Sequence, residues 1–223
     1  MRTKIAVICI LAFSLFFGFV LRGNTHAASP IFLNQDLEDP TQDIIATLDD
    51  CIQKRFLDVD QGFGIRRIIP KGETAHRFKP ENAKELSIVG SLRKVGLDMV
   101  LYLAGRQILK PEWNRNDADA RKLVKGPVLM TETDQLDSPT TFELFEHTRK
   151  AMQMFQTSNK YDFAIRNWRI AARPVRASDA SCLKCHFDDQ IVVLPTGAYK
   201  GESRKLEIGD PLGVVLYAYK TEK

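Results

Sequence analysis

Leu97-Asp98-Met99-Val100-Leu101-Tyr102-Leu103-Ala104 decides the fold class. Only Asp98 interrupts an otherwise apolar run, and Gly96 before it is a typical residue just past a helix terminus. The run is expected to be a strand, extending towards Leu109. Two other segments read the same way. Phe163 to Val175 alternates Phe163, Ile165 and Ile170 with Arg166, Arg169 and Arg173, the pattern of one half-buried strand. Pro211-Leu212-Gly213-Val214-Val215-Leu216-Tyr217-Ala218-Tyr219 closes the chain as another.

Helical periodicity separates these strands. Thr41 can cap a helix in which Ile44, Ile45, Leu48, Cys51, Ile52 and Phe56 form one apolar stripe, so Cys51 points inward. Further helices are expected over Asn82 to Val95, Asp117 to Val124 and Thr140 to Gln156. A strand is expected at Ile65 to Pro70 and a loop at Lys71 to Pro80. Strands and helices mix without a regular βαβ alternation. The class is therefore α+β, a central antiparallel sheet with flanking helices. No linker divides residues 28–223, which read as one domain.

At 44% hydrophobic and 27% charged residues the composition is that of a globular chain, not a disordered one. Of the 32 basic residues, Arg2, Lys4 and Arg22 lie in the first 27, which carry no acid. The body is left with 29 basic against 28 acidic residues, no electrostatic footprint for nucleic acid. The first segment has the three parts of a secretory leader: a short basic start, an apolar run from Ile5 to Leu21, and the small residues of Thr25-His26-Ala27-Ala28. The expectation is export to the periplasm or its equivalent, with residues 1–27 removed. Membrane attachment follows only if the leader stays on as an anchor.

The chemistry sits in Ser181-Cys182-Leu183-Lys184-Cys185-His186, which contains C-x-x-C-H. This is the attachment pattern of a c-type haem. Thiols three positions apart can reach the two vinyl groups on one porphyrin edge and form thioethers, and the next residue, His186, is then held under the iron as an axial ligand. With 4 Cys and 4 His in the chain, chance gives this string on the order of once in a thousand. A zinc site lacks a second Cys/His pair at suitable spacing. A thioredoxin-like pair lacks its βαβ context. A Cys182–Cys185 disulfide would close too small a loop to contribute much. One covalent haem c with its iron is the expected cofactor.

The motif lies late in the chain and no Met follows His186, unlike small shuttle cytochromes, while the strands do not belong in a four-helix bundle. Leu101-Tyr102-Leu103-Ala104-Gly105-Arg106, Arg173-Pro174-Val175-Arg176-Ala177, the haem motif and Gly209-Asp210-Pro211-Leu212-Gly213-Val214 occur in an informative order. Together they resemble the exported monohaem c-type family with a PAS-like fold, over roughly Thr41 to Tyr219. The resemblance implies a PAS-like central antiparallel sheet with a haem on one face. It also implies redox sensing or signalling rather than turnover. Relatives occur alone or as the sensory part of histidine kinases and chemoreceptors. No kinase region or second membrane segment follows here, so a separate redox or signalling protein partner is expected.

The sixth iron ligand has several candidates: Cys51, His76, His147, Met99, Met130, Met152 and Met154. Cys51 is the leftover thiol of an exported chain, on an apolar stripe where a haem could meet it. The resemblance points the same way, because an N-terminal helix Cys matches the thiolate ligand of that family. The plain alternative is a small buried hydrophobe. His76 reads as a solvated loop residue, His147 as surface and Met99 as core. Met152 and Met154 point to different sides of their helix. Arg173 and Arg176 can pair with haem propionates, since guanidinium matches carboxylate in bidentate geometry, or can line a solvated strand edge. Trp168 reads as a core aromatic. Two other functions compete with sensing: a monohaem electron-transfer cytochrome, and a peroxidase-like enzyme. The enzyme is ranked last, because no distal acid/base group can be assigned.

Overall fold

The structure is a computed structural model; it describes residues 40–57, 76–110, 113, 115–131, 137–185, 188–189, 192–193, 199–200 and 204–221. The leader and the strand expected at Ile65 to Pro70 lie outside these residues. Helix α1 (Pro40–Leu57) opens on proline, whose missing N–H would have had no helical partner there. Asp43 in its first turn and Lys54 and Arg55 in its last suit the helix dipole. Helix α2 (Ala83–Lys94) is capped by the Asn82 side chain, which accepts from the Glu85 amide at 2.9 Å. It stops where Gly96 adopts φ 58°, as the sequence leads one to expect.

Strands β1 (His76–Arg77), β2 (Leu97–Gly105), β3 (Val124–Leu129), β4 (Tyr161–Ile165), β5 (Trp168–Arg176) and β10 (Pro211–Thr221) form one sheet, in the order β1-β3-β2-β10-β5-β4. Only β1 joins its neighbour in parallel; every other pairing is antiparallel. The last strand of the chain is thus central, running beside β2 from Gly213–Gly105 to Thr221–Leu97 and beside β5 on its other side. Between β5 and β10 lie α5 (Cys182–Cys185) and two short ribbons, β6 (Asp188–Asp189) with β9 (Arg204–Lys205), and β7 (Val192–Val193) with β8 (Tyr199–Lys200).

Strand alternation sends successive side chains to opposite faces, so a strand apolar at every position needs cover on both. Val215, Tyr217 and Tyr219 of β10 join Met99 and Leu101 against Ile45, Leu48 and Ile52 of α1 and Ile88 and Leu92 of α2. Val214, Leu216 and Ala218 join Val100, Tyr102 and Trp168 against Leu123 of α3 (Asp117–Leu123) and Leu144, Phe145 and Met152 of α4 (Thr141–Met154). Each fully buried Leu or Ile contributes about 1.5–3 kcal/mol through removal from water. No helix among the described residues is long and apolar enough to cross a membrane.

Five local readings differ from expectation. Helix α1 already includes Pro40, so Thr41 lies inside it and is not its cap. Strand β1 falls within the loop expected at Lys71 to Pro80, because His76 and Arg77 pair with Val128 and Leu129 of β3. The single strand expected over Phe163 to Val175 is a hairpin, because the chain reverses at Arg166 and Asn167 and the alternation continues across the turn. Arg166 takes φ 53° there without being glycine, held by Ser138 O at 3.0 Å and an ion pair with Glu143 at 3.1 Å. Strand β3 is unexpected from sequence, because Gly126 and Pro127 look like a breaker. Gly126 is required by close approach: at φ 133° a Cβ there would meet Leu101 O at 2.7 Å. The run after Ala104 ends at Gly105, followed by a 3₁₀ turn over Arg106–Leu109 instead of more strand.

Helix α4 begins with a full capping box. The Thr140 hydroxyl accepts from the Glu143 amide at 3.2 Å, and the Glu143 carboxylate accepts from the Thr140 amide at 2.7 Å. Burial pushes the Glu143 carboxyl up, but hydrogen bonds from the Thr140 amide and hydroxyl and the nearby Arg166 guanidinium outweigh it and hold it below its usual value. A lowered carboxyl contributes stability above its unfolded pKa and loses it as pH falls through the folded one. Glu143→Gln is therefore expected to cost about 0.5–1 kcal/mol at pH 7. In denaturant melts at successive pH values the gap should close as wild-type Glu143 protonates. A gap independent of pH would remove the charge from this account.

Candidate functional site

Strand β5 delivers the motif. Beyond Arg176 it stays joined to the approach of β10: the Ala177 amide donates to Asp210 O at 2.9 Å, and the Gly209 amide donates to Ala177 O at 2.7 Å. Asp179 then folds the next residues into a turn, its carboxylate accepting from the Ser181 amide at 2.7 Å and from the Ser181 hydroxyl. The single helical turn α5 follows. The Cys185 side chain and His186 lie outside the described residues.

Cys182 is half-buried and packs with Leu183 against Ala177, Leu206 and Leu212, a small cluster apart from both main cores. The Ser178 hydroxyl lies 3.7 Å from its sulfur. Burial opposes ionisation of this thiol, but hydrogen bonds from the backbone at Asp179 and Ser178 and from the Ser178 side chain outweigh it, so its pKa falls below the ordinary value.

Cys51 lies inward on α1 as its stripe requires, 6% exposed, within the cluster that holds Met99, Leu101, Val215 and Tyr217. Its thiol is pushed up, first by burial; in the first turn of α2 Lys84 pulls it down and Glu85 pushes it further up. One turn on, Arg55 grips Glu85 with two nitrogens and donates to Lys79 O at 3.0 Å. Both side chains of that pair are almost wholly buried, so it fixes how α1 is rolled against α2. On the other flank of α1, Asp49 accepts from the Tyr217 hydroxyl at 2.7 Å, and Gln53 donates to Pro174 O at 3.1 Å. The helix carrying Cys51 is thereby pinned to β10 and to β5, the strand that precedes the motif in the chain.

Arg173 and Arg176 are not brought together. Their odd and even positions on β5 send them to opposite faces of the sheet. Arg173 donates to Asp162 on β4 at 2.7 Å. Arg176 donates to Phe155 O, Ser158 O, Gly209 O and Asn159 Oδ1, all within 2.8–3.1 Å, and so clamps the end of α4 to the approach of β10. In this arrangement all three of its nitrogens are engaged within the fold.

The other ligand candidates divide between the faces. Met99 and Met130 are buried on the Cys51 side. Met152 is fully buried on the other side and Met154 is 39% exposed, so the two point apart as expected. His147 is half-buried, its ring stacked on Phe163 at 4.3 Å between centroids. Burial, then Lys150 and Arg115, hold its pKa below the usual value. His76 contributes backbone to β1 beside Val128; its side chain is outside the described set. Trp168 is a core residue, its indole N–H donating to Asp137 O at 3.0 Å.

Sequence reasoning missed the polar ties of α1. Asp49 and Gln53 stand one turn apart beside the apolar stripe, which is the trace such a pair leaves in a sequence. It also missed Ser178 and Asp179, whose Ser-Asp-x-Ser spacing ahead of the motif is a turn signal. No protein-family model, no curated protein and no solved structure matches the chain.

Proposed function

We propose that the chain carries one covalent c-type haem and acts outside the cytoplasm as a redox-sensing or signalling module of PAS-like fold. Cys182 and Cys185 would hold the haem by thioethers, and His186 and Cys51 would ligate its iron. The observation that carries this reading is the linkage between the two cysteine-bearing elements. The turn bearing Cys182 follows β5 after residues 177–181, and the helix bearing Cys51 is tied to that same strand through Gln53 and to its neighbour through Asp49. The donor set suits the group: a half-buried thiol with the Ser178 hydroxyl 3.7 Å from its sulfur, and a second soft sulfur in apolar surroundings. When bound, haem supplies a one-electron couple whose potential its axial ligands set. The contribution of this chain is to hold both ligands on elements with a fixed mutual position, so that a change at one sulfur bears on the packing of α1 against the sheet.

Absorption spectra of the purified chain, oxidised and reduced, test the reading. A low-spin haem that keeps its covalent link under denaturing conditions is expected. An open, high-spin iron that turns over peroxide would replace sensing with catalysis. Rapid electron exchange with many unrelated redox proteins would make the chain a shuttle instead.

A further inference from the structure

A surface cleft of about 400 Å³ opens between α4 and β4, on the face of the sheet opposite Cys51. Two periodicities build it. Glu146, Lys150 and Gln153 stand on successive turns of α4 and share a stripe, with His147 beside it. Tyr161 and Phe163 alternate with Asp162 and Ala164, so their rings lie on the α4 side of β4. His147 and Tyr161 thereby form an aromatic wall backed by Phe163, whose ring centroid is 4.3 Å from the first and 5.4 Å from the second.

The two cations of the cleft are held differently. Arg149 is engaged within the fold: it donates to Ile108 O at 3.0 Å and Trp113 O at 2.7 Å, and Glu146 lies 4.0 Å from it. Lys150 is exposed, its ammonium 5.6 Å from the centre of the Tyr161 ring, and no carboxylate among the described residues pairs with it. Two cations thus face one carboxylate in the lining. A neutral apolar ligand would leave Lys150 without an anion. Acetate or phosphate would leave the aromatic wall uncovered.

We propose that this cleft binds a small aromatic carboxylate, its carboxylate on the Lys150 ammonium and its ring against Tyr161 and His147. The ammonium supplies a charge-assisted hydrogen bond. The rings supply the apolar contact by which clefts of this size hold small ligands. Glu146 on the same stripe disfavours a second negative charge, so a monocarboxylate fits better than a dicarboxylate. The site stands apart from the haem reading and does not rest on it.

Calorimetric titration of the full chain with benzoate is the test. Saturable one-to-one binding at neutral pH is expected, with Kd on the order of 1 mM or below. Acetate, benzamide and inorganic phosphate should each bind about tenfold more weakly or worse, since each lacks the ring or the carboxylate. Lys150→Gln should weaken benzoate by about tenfold and Lys150→Arg by much less. Tyr161→Leu should weaken it by about threefold or more. Lys150 is exposed, so its two variants keep the fold and decide the test even where Tyr161→Leu disturbs the strand. No saturable heat with benzoate overturns the proposal, as does an unchanged affinity in Lys150→Gln. Acetate or phosphate binding as tightly as benzoate overturns it too, and makes the cleft a general anion site.

Discussion

Replacing Cys182 and Cys185 together by serine is expected to abolish covalent haem completely while leaving the fold in place. A hydroxyl has neither the nucleophilicity nor the acidity of a thiol, so neither serine can add to a vinyl group. The cost to folding should be small. Among the described residues Cys182 packs with Leu183 against the satellite cluster of Ala177, Leu206 and Leu212, and belongs to neither main core. A half-buried Cys→Ser change outside a main core should cost about 1 kcal/mol or less. Denaturing electrophoresis stained for haem, with intact mass, reads the first effect; circular dichroism and a thermal melt read the second. A double variant that still carried haem through denaturation would end the case for the motif. A variant that failed to fold would give the turn a structural role that its packing does not suggest.

Much of the sheet was legible because its strongest signals are local. Leu97 to Ala104 and Pro211 to Tyr219 are apolar at nearly every position, and only a central strand covered on both faces can accommodate that. The helices carried their own punctuation in Asn82, Gly96 and Thr140. The misreadings come where a distant partner overrides a local preference. Arg166 bends back with a left-handed φ because Ser138 and Glu143 hold its guanidinium, neither of them adjacent in sequence. Gly126 stands within a strand because the backbone of Leu101 on the neighbouring β2 comes too close for a side chain there. The candidate site divides in the same way. Cys182-x-x-Cys185-His186 is legible as a string because thioether chemistry dictates its spacing. The partners of Arg176 are backbone carbonyls of Phe155, Ser158 and Gly209, and carbonyl positions leave no mark on a sequence. The inward direction of Cys51 followed from helical periodicity, but its ties through Asp49 and Gln53 depend on which strand lies beneath them.

Cys51→Ala is the second large effect expected. An axial thiolate donates charge to iron and favours the ferric state, and axial ligands between them move haem potentials over about 0.8 V. Removing this sulfur should raise the midpoint potential by on the order of 100 mV or more and change the ferric spectrum. Covalent attachment should persist, since the thioether cysteines lie on a different element. The fold should persist too. Ala leaves a small cavity beside Met99 and Leu101, costing about 1–2 kcal/mol. Arg55 with Glu85, Asp49 with Tyr217 and Gln53 with Pro174 still hold α1 in place. Potentiometric titration of the haem-loaded chain, with spectra of both oxidation states, gives the answer. If spectra and potential match wild type, Cys51 is a packed core residue, and the ligand must be sought among His76, His147 and the methionines. That outcome would also take away the proposed coupling. Asp49 and Gln53 would then fasten a helix that bears nothing on the iron, and any signal would have to leave through the turn at Cys182 alone.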